Sequence, residues 1–375
     1  MKKLPLLSFA ALSLGLVGLL ALSGEDANAR VKLATLPDRQ DQTVHFDHSS
    51  YTFVEEVRDI ALRGVSDENP EGINTIDFSW AGTRIDKSTI MLRAMNHEGV
   101  TILSTSYPPG EDALTWSVSI QDSATVKFKV SYLMYGIDRE NSYSMLISDD
   151  EKSATLRHYF KVNNRSGEDF EDATLSLGDG KEFQQDIANG DAKRVLVERY
   201  DSAPLEKQYV FDQHRNYEAV LTDYVLKNLP EHNMGKRALP FGKVRLYKLT
   251  NAGNSAFLGE DWGQYTAIGD EMRMNIGTSQ DIKVEVKEMA YEESDRRANA
   301  YNTDQWRHYE IKNFKDEAVE VVVVFRQGGE WELVDDSSHK PFERKSNDEV
   351  QYRITVPAGG EKTILKVHYR RINVF

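Results

Sequence analysis

The amino-acid sequence predicts an all-β protein made of two or three sandwich-like antiparallel modules, with little helix beyond a signal peptide. Apolar and polar residues alternate with a period of two in many short runs, which is the pattern of half-buried strands. Turn residues separate these runs at short, even intervals, as in sandwiches and barrels. The chain also contains 17 Tyr, 15 Phe and 5 Trp, and aromatic residues favour strands.

A strand, an Asn, a polar turn carrying a Glu and a second strand occur twice, at 156–177 and 309–325. Side chains on a strand alternate between faces, so only one register keeps the apolar face of both copies constant. That register pairs Phe160 with Tyr309, Val162 with Ile311, Asn164 with Asn313, Glu168 with Glu317 and Phe170 with Val319. It places the identical Arg-His-Tyr triplets at 157–159 and 307–309 out of register, so we interpret them as coincidental. Each unit needs a second sheet to cover its apolar face, which predicts two sandwich-like modules.

The remaining elements follow from the same alternation. Strands are predicted at 52–62, 73–80, 88–94, 100–106, 114–120, 125–135, 142–147, 219–227, 244–248, 272–276, 282–289, 331–334, 351–356 and 362–369. Between 178 and 215 the pattern fades and predicts an irregular crossover, with a short helix considered at 203–211. The segment 259–263 reads as a tight corner. We therefore expect a signal peptide at 1–29, an N-terminal β-domain at 30–121, and β-sandwich modules at 122–210 and 211–375.

The N-terminus indicates export. Lys2 and Lys3 precede an apolar run from 4 to 22, and Ala27-Asn28-Ala29 fits a small-x-small cleavage site, so the mature chain is expected to start near Arg30. The alternative is an uncleaved membrane anchor, because the run is close to spanning length. No later segment is long and apolar enough, so we expect no membrane span in the mature chain. The expected location is the periplasm, the cell surface or the medium.

Composition excludes several classes of function. The chain has no Cys, which excludes disulfides, thiolate metal sites and a cysteine nucleophile. The formal net charge is −14, and an acidic surface repels nucleic acid and anionic lipid headgroups. We therefore expect neither nucleic acid nor a lipid surface as a partner.

Two clusters resemble metal sites without completing one. His45 and Asp47 would share one face of a strand, with His48 on the other, and two ligands are too few for zinc. The loop 67–72 imitates the start of a calcium loop, yet its twelfth position, where a bidentate Glu is needed, is Phe78. We expect no metal and no cofactor, and interpret the loop as a plain turn.

Standard catalytic motifs are also missing from the sequence. It contains no G-x-S-x-G elbow, P-loop, helix-opening G-x-G-x-x-G or H-E-x-x-H, so no catalytic residue is assigned. Carboxylates in pairs serve glycoside hydrolysis in some enzymes, and adjacent acidic residues occur at 149–151, 292–293 and 335–336. Three tryptophans, Trp116, Trp262 and Trp306, are candidates either for stacking on sugars or for the core.

The C-terminal two thirds of the chain carries an ordered set of motifs. They are Val130-Ser131-Tyr132-Leu133, Asn164-x-x-Gly167-Glu168-Asp169-Phe170, Leu239-Pro240-x-Gly242-Lys243-Val244-Arg245-Leu246-Tyr247, Phe257-Leu258-Gly259-Glu260-Asp261 and Val356-Pro357-Ala358-Gly359-Gly360-Glu361. Over about residues 125–375 this order resembles a bacterial domain of unknown function found at the C-terminus of mucoidy-inhibitor-type proteins. Glu71-Gly72-x-Asn74-x-Ile76 and Ile85-Asp86-x-Ser88 look like the N-terminal β-domain of those proteins. The resemblance implies a β-fold and supplies no catalytic residues. The coiled coil that usually joins the two β-domains in those proteins has no counterpart here, and Asp138–Tyr143 stands in place of a segment containing Trp and Pro.

Two functions remain open from the sequence. The favoured one is an exported cell-envelope or secreted β-sandwich protein with a binding or assembly role, whose partner is a protein or glycan of the envelope. The alternative is a carboxylate-dependent hydrolase acting on envelope or extracellular polysaccharide. A hydrolase requires two carboxyl groups in one cleft, with the pKa of one of them raised.

Overall fold

The computed structural model describes residues 39–48, 50–178, 180–250, 253–298, 300–334 and 341–374. The predicted signal peptide, the mature start at Arg30 and the acidic pair at 335–336 lie outside these ranges. Within them the fold is all-β, as predicted, and the helical content consists of two single-turn 3-10 segments, Lys87–Thr89 and Pro230–His232. None of the helices in these ranges is long and apolar enough to cross a membrane.

Two compact units make up the chain. Of the described residues, the first unit comprises 39–44 and 53–134, and the second comprises 45–52 and 135–374. Strands of the first unit are β1 (Asp41–His45, with its last residue in the second unit), β2 (Thr52–Leu62, with its first residue in the second unit), β3 (Ile73–Ser79), β4 (Met91–Ala94), β5 (Thr101–Ser106), β6 (Ala113–Ser119) and β7 (Ala124–Met134).

The first unit is a sandwich. One sheet contains β1, β2, β7 and β4 in that order, and a second contains β3, β6 and β5. The sheets pack face to face through Phe78 of β3, whose ring lies 5.9 Å from that of Tyr132 on β7 and 6.0 Å from that of Trp116 on β6. All three side chains are buried, because alternate residues of each strand point between the sheets.

The second unit contains the remaining strands. They are β8 (Ile137–Ile147), β9 (Ser153–Asn164), β10 (Phe170–Ser176), β11 (Glu182–Ile187), β12 (Ala192–Asp212), β13 (Leu221–Lys227), β14 (Gly242–Leu249), β15 (Ser255–Gly263), β16 (Glu271–Thr278), β17 (Ile282–Arg297), β18 (Ala300–Asn313), β19 (Val319–Arg326), β20 (Trp331–Leu333), β21 (Glu343–Arg344), β22 (Glu349–Val356) and β23 (Lys362–Val374).

One large sheet runs through the second unit in the order β15-β14-β8-β9-β12-β19-β22-β21, and β13 joins β12 to β16 beside it. A smaller sheet has the order β17-β18-β23-β20. Most pairs are antiparallel, as predicted, but β8 with β14 and β12 with β19 pair in parallel. Parallel partners need a long connection, and these pairs are separated by other strands along the chain.

Two large apolar cores lie among the described residues of the second unit, besides a small cluster of Val210, Leu221, Val322 and Val324. One lies between the smaller sheet and the β12-β19-β22 part of the large sheet, and includes Tyr309, Phe325 and Tyr352. The other includes Tyr143 of β8 and Tyr224 of β13. β12 contributes to both, with Tyr200 in one core and Phe211 in the other.

Two predictions for this region were wrong. The segment 178–215, predicted as an irregular crossover with a helix at 203–211, forms β11 and the 21-residue β12. β12 hides its alternation because the register shifts between Leu196 and Glu198 and again between Tyr200 and Ala203. Each β-bulge inserts a residue and inverts the apolar phase, so a period-two search sees no continuous strand. The bend also lets one strand pair with β9 along its first part and with β19 along its second. The predicted corner at 259–263 belongs to strand β15 instead.

The repeated unit predicted from the sequence is confirmed in register. Asn164 and Asn313 are both fully buried. The Asn164 side chain donates from Nδ2 to the carbonyl oxygens of Glu168 (2.7 Å) and Ile187 (3.0 Å). Asn313 donates from Nδ2 to the carbonyl oxygen of Glu317, also at 2.7 Å. Each amide therefore closes its turn onto the Glu that the alignment paired.

A third asparagine makes hydrogen bonds of the same kind, although the sequence around it does not match the repeated unit. Asn228, at the end of β13, is fully buried and donates from Nδ2 to the carbonyl oxygens of Arg237 (2.9 Å) and Ala267 (3.1 Å). The main-chain carbonyl oxygen of Asn228 accepts the backbone N–H of Gly269 at 3.0 Å. The main-chain carbonyl oxygens of Asn164 and Asn313 likewise accept backbone N–H groups, from glycines at positions 190 and 360. The shared element is a buried Asn that ends a strand and bonds two loops.

Asn228→Ala should lower the free energy of unfolding by about 2–4 kcal/mol, because several buried backbone groups lose their partner. Urea denaturation of the purified protein measures the change. Asn347→Ala is the matched control: Asn347 is exposed, and its change should stay within about 0.5 kcal/mol. Equal effects of the two substitutions would refute the structural role assigned to Asn228.

Candidate functional site

The residues suspected of metal binding are not assembled into a site. The His48 ring stacks on Tyr51, with centroids 5.0 Å apart, and its Nδ1 accepts the backbone N–H of Ser50 at 3.2 Å. In the loop 67–72, Asn69 stabilises a turn, because its Oδ1 accepts the backbone N–H of Ile73 at 3.0 Å. Across the described ranges, no group of three or more His, Asp or Glu side chains has the spacing of a metal site.

The acidic triplet at 149–151 is a structural feature of the β8–β9 turn. Glu151 bonds Lys207 Nζ at 2.6 Å and Lys248 Nζ at 2.8 Å. Burial, the largest single influence, acts to raise the pKa of Glu151, but the two lysines together leave that pKa lowered. A general acid needs the opposite shift. Glu292 and Glu293 lie exposed along β17.

The three candidate tryptophans have different environments. Trp116 is 2% exposed and belongs to the core of the first unit. Trp306 is half-buried and stacks on His368, with ring centroids 4.0 Å apart. Trp262 is 46% exposed. All five tryptophans of the chain fall within the described ranges, and Trp262 is the only one of them that is exposed.

Trp262 forms an exposed aromatic pair with Phe241. The two rings are parallel within 4° and their centroids are 5.1 Å apart, and Phe241 is 51% exposed. Lys243 Nζ lies 5.1 Å from the centroid of the Trp262 ring and bonds Glu260 at 2.7 Å. An apolar stack with a paired cation and carboxylate beside it is thus presented to solvent.

Two glycines support the aromatic pair. Gly242 and Gly263 lie opposite each other where β14 and β15 pair. A Cβ on Gly242 would come within 2.5 Å of the Asn141 carbonyl oxygen, and a Cβ on Gly263 within 2.9 Å of a Val244 methyl. Both positions therefore require glycine for close packing, which gives a physical reason for the Gly in the Leu-Pro-x-Gly-Lys motif.

Tyr143 of β8 bonds the backbone segment next to Phe241. Its hydroxyl donates to the Pro240 carbonyl oxygen at 2.6 Å, and its ring stacks on His158 with centroids 4.7 Å apart. Burial raises the pKa of Tyr143 well above its usual range, so the hydroxyl remains a donor at any physiological pH. The backbone that carries Phe241 is consequently fixed from beneath.

A series of clefts crosses the other end of the second unit. The largest, of about 490 Å³, is lined by residues of β17, β18, β19 and the loop after β12. A second, of about 370 Å³, shares Val324 and Arg326 with it. A third, of about 180 Å³, shares Glu288 and Arg307 with the first. The shared walls make these clefts neighbours along one surface.

Arg326 occupies the wall between the first two clefts. Its Nη1 lies 2.6 Å from both carboxylate oxygens of Asp212, and its Nη2 lies 2.6 Å from Glu349 Oε2. Asp212 is 2% exposed. Burial acts first, to lower the pKa of Arg326, yet the two carboxylates leave that pKa raised. The guanidinium is thus a permanent cation that neutralises a buried acid.

A second buried acid is held in the same way. Asp223 is fully buried and accepts from Arg215 Nη1 at 2.5 Å and from Asn275 Nδ2 at 2.9 Å. Arg273, whose Nη1 bonds Gln208 at 2.6 Å, lies 3.5 Å from the same carboxylate. The hydrogen bond that Arg215 donates to Asp223 is the main influence that raises the pKa of Arg215. In both acids the bonds run from arginine to carboxylate, which is the arrangement of an ion-pair network.

No motif in the sequence indicates this network. Asp212 and Arg326 each end an apolar strand, and the parallel pairing of β12 with β19 brings them together. The only signal in the sequence is that Asp212 and Arg326 each fall, within the alternation of their strand, among the positions expected to point away from the core. Without the pairing, that signal does not show which acid meets which base.

The chain matches none of the protein-family models searched and none of the curated proteins. The resemblance to the C-terminal domain of mucoidy-inhibitor-type proteins therefore rests on the motifs quoted above.

Arg326→Gln should destabilise the fold by about 3–5 kcal/mol, because it leaves the buried Asp212 carboxylate without its cation. Chemical denaturation followed by tryptophan fluorescence measures the loss. Arg353→Gln is the control on a neighbouring strand: Arg353 pairs with the exposed Glu320 at 2.8 Å, and its loss should cost at most about 1 kcal/mol. A stable Arg326→Gln protein would show that this network does not stabilise the fold.

The lowered pKa of Glu151 predicts an acid-sensitive contribution to stability. A carboxyl whose folded pKa lies below its unfolded value stabilises the fold above the unfolded pKa, and this stabilisation is lost as the pH falls through the folded pKa. Wild type should therefore have a higher Tm than Glu151→Gln at neutral pH, and the gap should close on acidification below about pH 4. A gap that does not change with pH would contradict this assignment.

Proposed function

We propose that the protein is an exported cell-envelope β-protein that binds polysaccharide without cleaving it. The observation that carries the proposal is the exposed parallel stack of Trp262 on Phe241. A sugar ring presents C–H groups on its faces, and these pack on the negative face of an aromatic ring. Lys243 and Glu260, beside the stack, supply a donor and an acceptor for the hydroxyl groups.

Rigidity supports this function. Trp262 lies on β15 and Phe241 immediately precedes β14, and these two strands are packed closely through Gly242 and Gly263. A surface already held in its bound geometry loses little conformational entropy when a ligand docks. An aromatic pair on a flexible loop would lose part of its binding free energy in ordering.

Export and the motif resemblance point in the same direction. A signal peptide at 1–29 would place the chain where envelope polysaccharide is found. We also propose that this chain belongs to the family that has the C-terminal domain of mucoidy-inhibitor-type proteins. The order of the motifs in this chain supports that membership. Neither argument assigns a reaction.

The competing function is a polysaccharide hydrolase. Its support is that Asp212, Glu271 and Glu349 line one cleft. Against it, Asp212 and Glu349 both bond Arg326, and Glu271 bonds Arg273 at 2.8 Å. Retaining and inverting mechanisms both require one of the two carboxyl groups to donate a proton, whereas these three accept hydrogen bonds from guanidinium groups.

Trp262→Ala should weaken binding of envelope polysaccharide by about tenfold or more, since aromatic anchors dominate such contacts. Isothermal titration of the mature protein with purified envelope polysaccharide measures the affinity without depending on the tryptophan that is removed. Phe257→Ala is the matched control, because Phe257 is 58% exposed on the same strand and pairs with Tyr247 instead. Equal affinity of wild type and Trp262→Ala would exclude this surface as the binding site.

A second measurement separates binding from hydrolysis. Prolonged incubation of the wild-type protein with the same polysaccharide should release no new reducing ends. Release that disappears in Asp212→Asn would establish the hydrolase instead. Recovery of one stoichiometric protein from an envelope fraction, with no glycan retained, would replace polysaccharide with a protein partner.

A further inference from the structure

The cleft of about 490 Å³ lies away from the aromatic pair, between β17, β18, β19 and the loop that follows β12. Its volume falls within the range of small-molecule sites. Tyr309 and Phe325, both 1% exposed, contribute to its floor, with Val286 beside them. Tyr217, 74% exposed, stands at its rim. The cleft therefore has an apolar base and an open mouth.

Arg307 is the cation of this cleft with the least compensation. Among the described residues its only carboxylate partner is Glu288, at 3.2 Å, and the Glu288 side chain is 74% exposed. An exposed ion pair of this kind contributes little and exchanges readily with solvent. Arg326, in the same cleft, is bonded to two carboxylates. Charge is thus available at Arg307 and is already neutralised at Arg326.

The surroundings of Arg307 favour an anion with a cyclic or apolar body. Its guanidinium carbon lies 5.3 Å from the centroid of the Tyr369 ring, which restrains the group as a planar donor. Burial raises the pKa of Tyr309 to about 12, with Arg307 acting in the opposite direction. The Tyr309 phenol therefore keeps its proton and repels no anion.

We propose that this cleft binds a small organic carboxylate, with Arg307 recognising the carboxyl group and the partly exposed Val286 and Tyr217 contacting the body of the ligand above the buried Tyr309–Phe325 floor. A guanidinium matches a carboxylate with two parallel N–H···O bonds. Glu288 would compete with the ligand for the same cation, so the two residues should act in opposite directions. The site is separate from the aromatic pair, and neither depends on the other.

Two probe pairs that differ only at the acid test the proposal: glucuronate against glucose, and 3-phenylpropanoate against 3-phenylpropanol. Isothermal titration of the full chain should detect at least one carboxylate and neither neutral partner. Arg307→Gln should weaken that binding about tenfold to hundredfold, the range for a hydrogen bond to a charged group. Glu288→Gln should tighten it several-fold, because the competing carboxylate is removed.

Three controls separate this site from a general charge effect. Arg353→Gln removes an arginine that does not line the cleft and should leave the affinity unchanged. Trp262→Ala should also leave it unchanged, so failure of the polysaccharide proposal and failure of this one are distinguishable. Circular dichroism confirms that each variant is folded. The proposal is overturned if no carboxylate binds to the wild type, if neutral partners bind equally well, or if Glu288→Gln and Arg307→Gln change the affinity in the same direction.

Discussion

The second unit depends on a buried amide that ends a strand and bonds the loops beside it. Asn164, Asn228 and Asn313 each donate to carbonyl oxygens of a neighbouring turn and accept a glycine N–H on their own carbonyl. A buried carbonyl without a donor is costly, and loops joining packed sheets contain several such groups. One Asn satisfies two or three of them at once, so the loops can be drawn into the interior and the sheets can pack without a helical layer or disulfides.

Buried charged side chains, like buried backbone groups, have hydrogen-bond partners inside the fold. The buried acids Asp212 and Asp223 are held by arginines, Arg326 on β19 and Arg215 in the loop after β12. Removing either partner of such a pair is far more damaging than the pair is stabilising. These arginines thereby keep the two buried acidic groups from disrupting the sheet. This leaves Arg307, with one exposed partner, as the exception among the cleft arginines.

The two surfaces assigned here to ligands differ in how they are built. The Trp262–Phe241 pair rests on a close strand contact that only glycine permits and on a buried tyrosine hydroxyl. The Arg307 cleft is enclosed by elements distant in the chain, including the loop after β12 and the β17–β18 hairpin. One surface is a rigid platform and the other is a cavity between strands. The ligands proposed for them differ accordingly, a sugar ring for the aromatic pair and a carboxylate for Arg307.

The sequence by itself determined the all-β class, most strand positions and the register of the repeated unit, because alternation and Asn-centred turns are local properties. It missed β12, where two bulges invert the phase of the alternation. It also missed Asn228, which bonds no carbonyl four residues on as Asn164 and Asn313 do, and whose nearest carbonyl partner, Arg237, lies nine residues along the chain. Only the tertiary structure decided that Trp262 is exposed while Trp116 is buried, and that Asp212 meets Arg326. Exposure and charge pairing depend on which strands become neighbours, and no local pattern of residues contains that information.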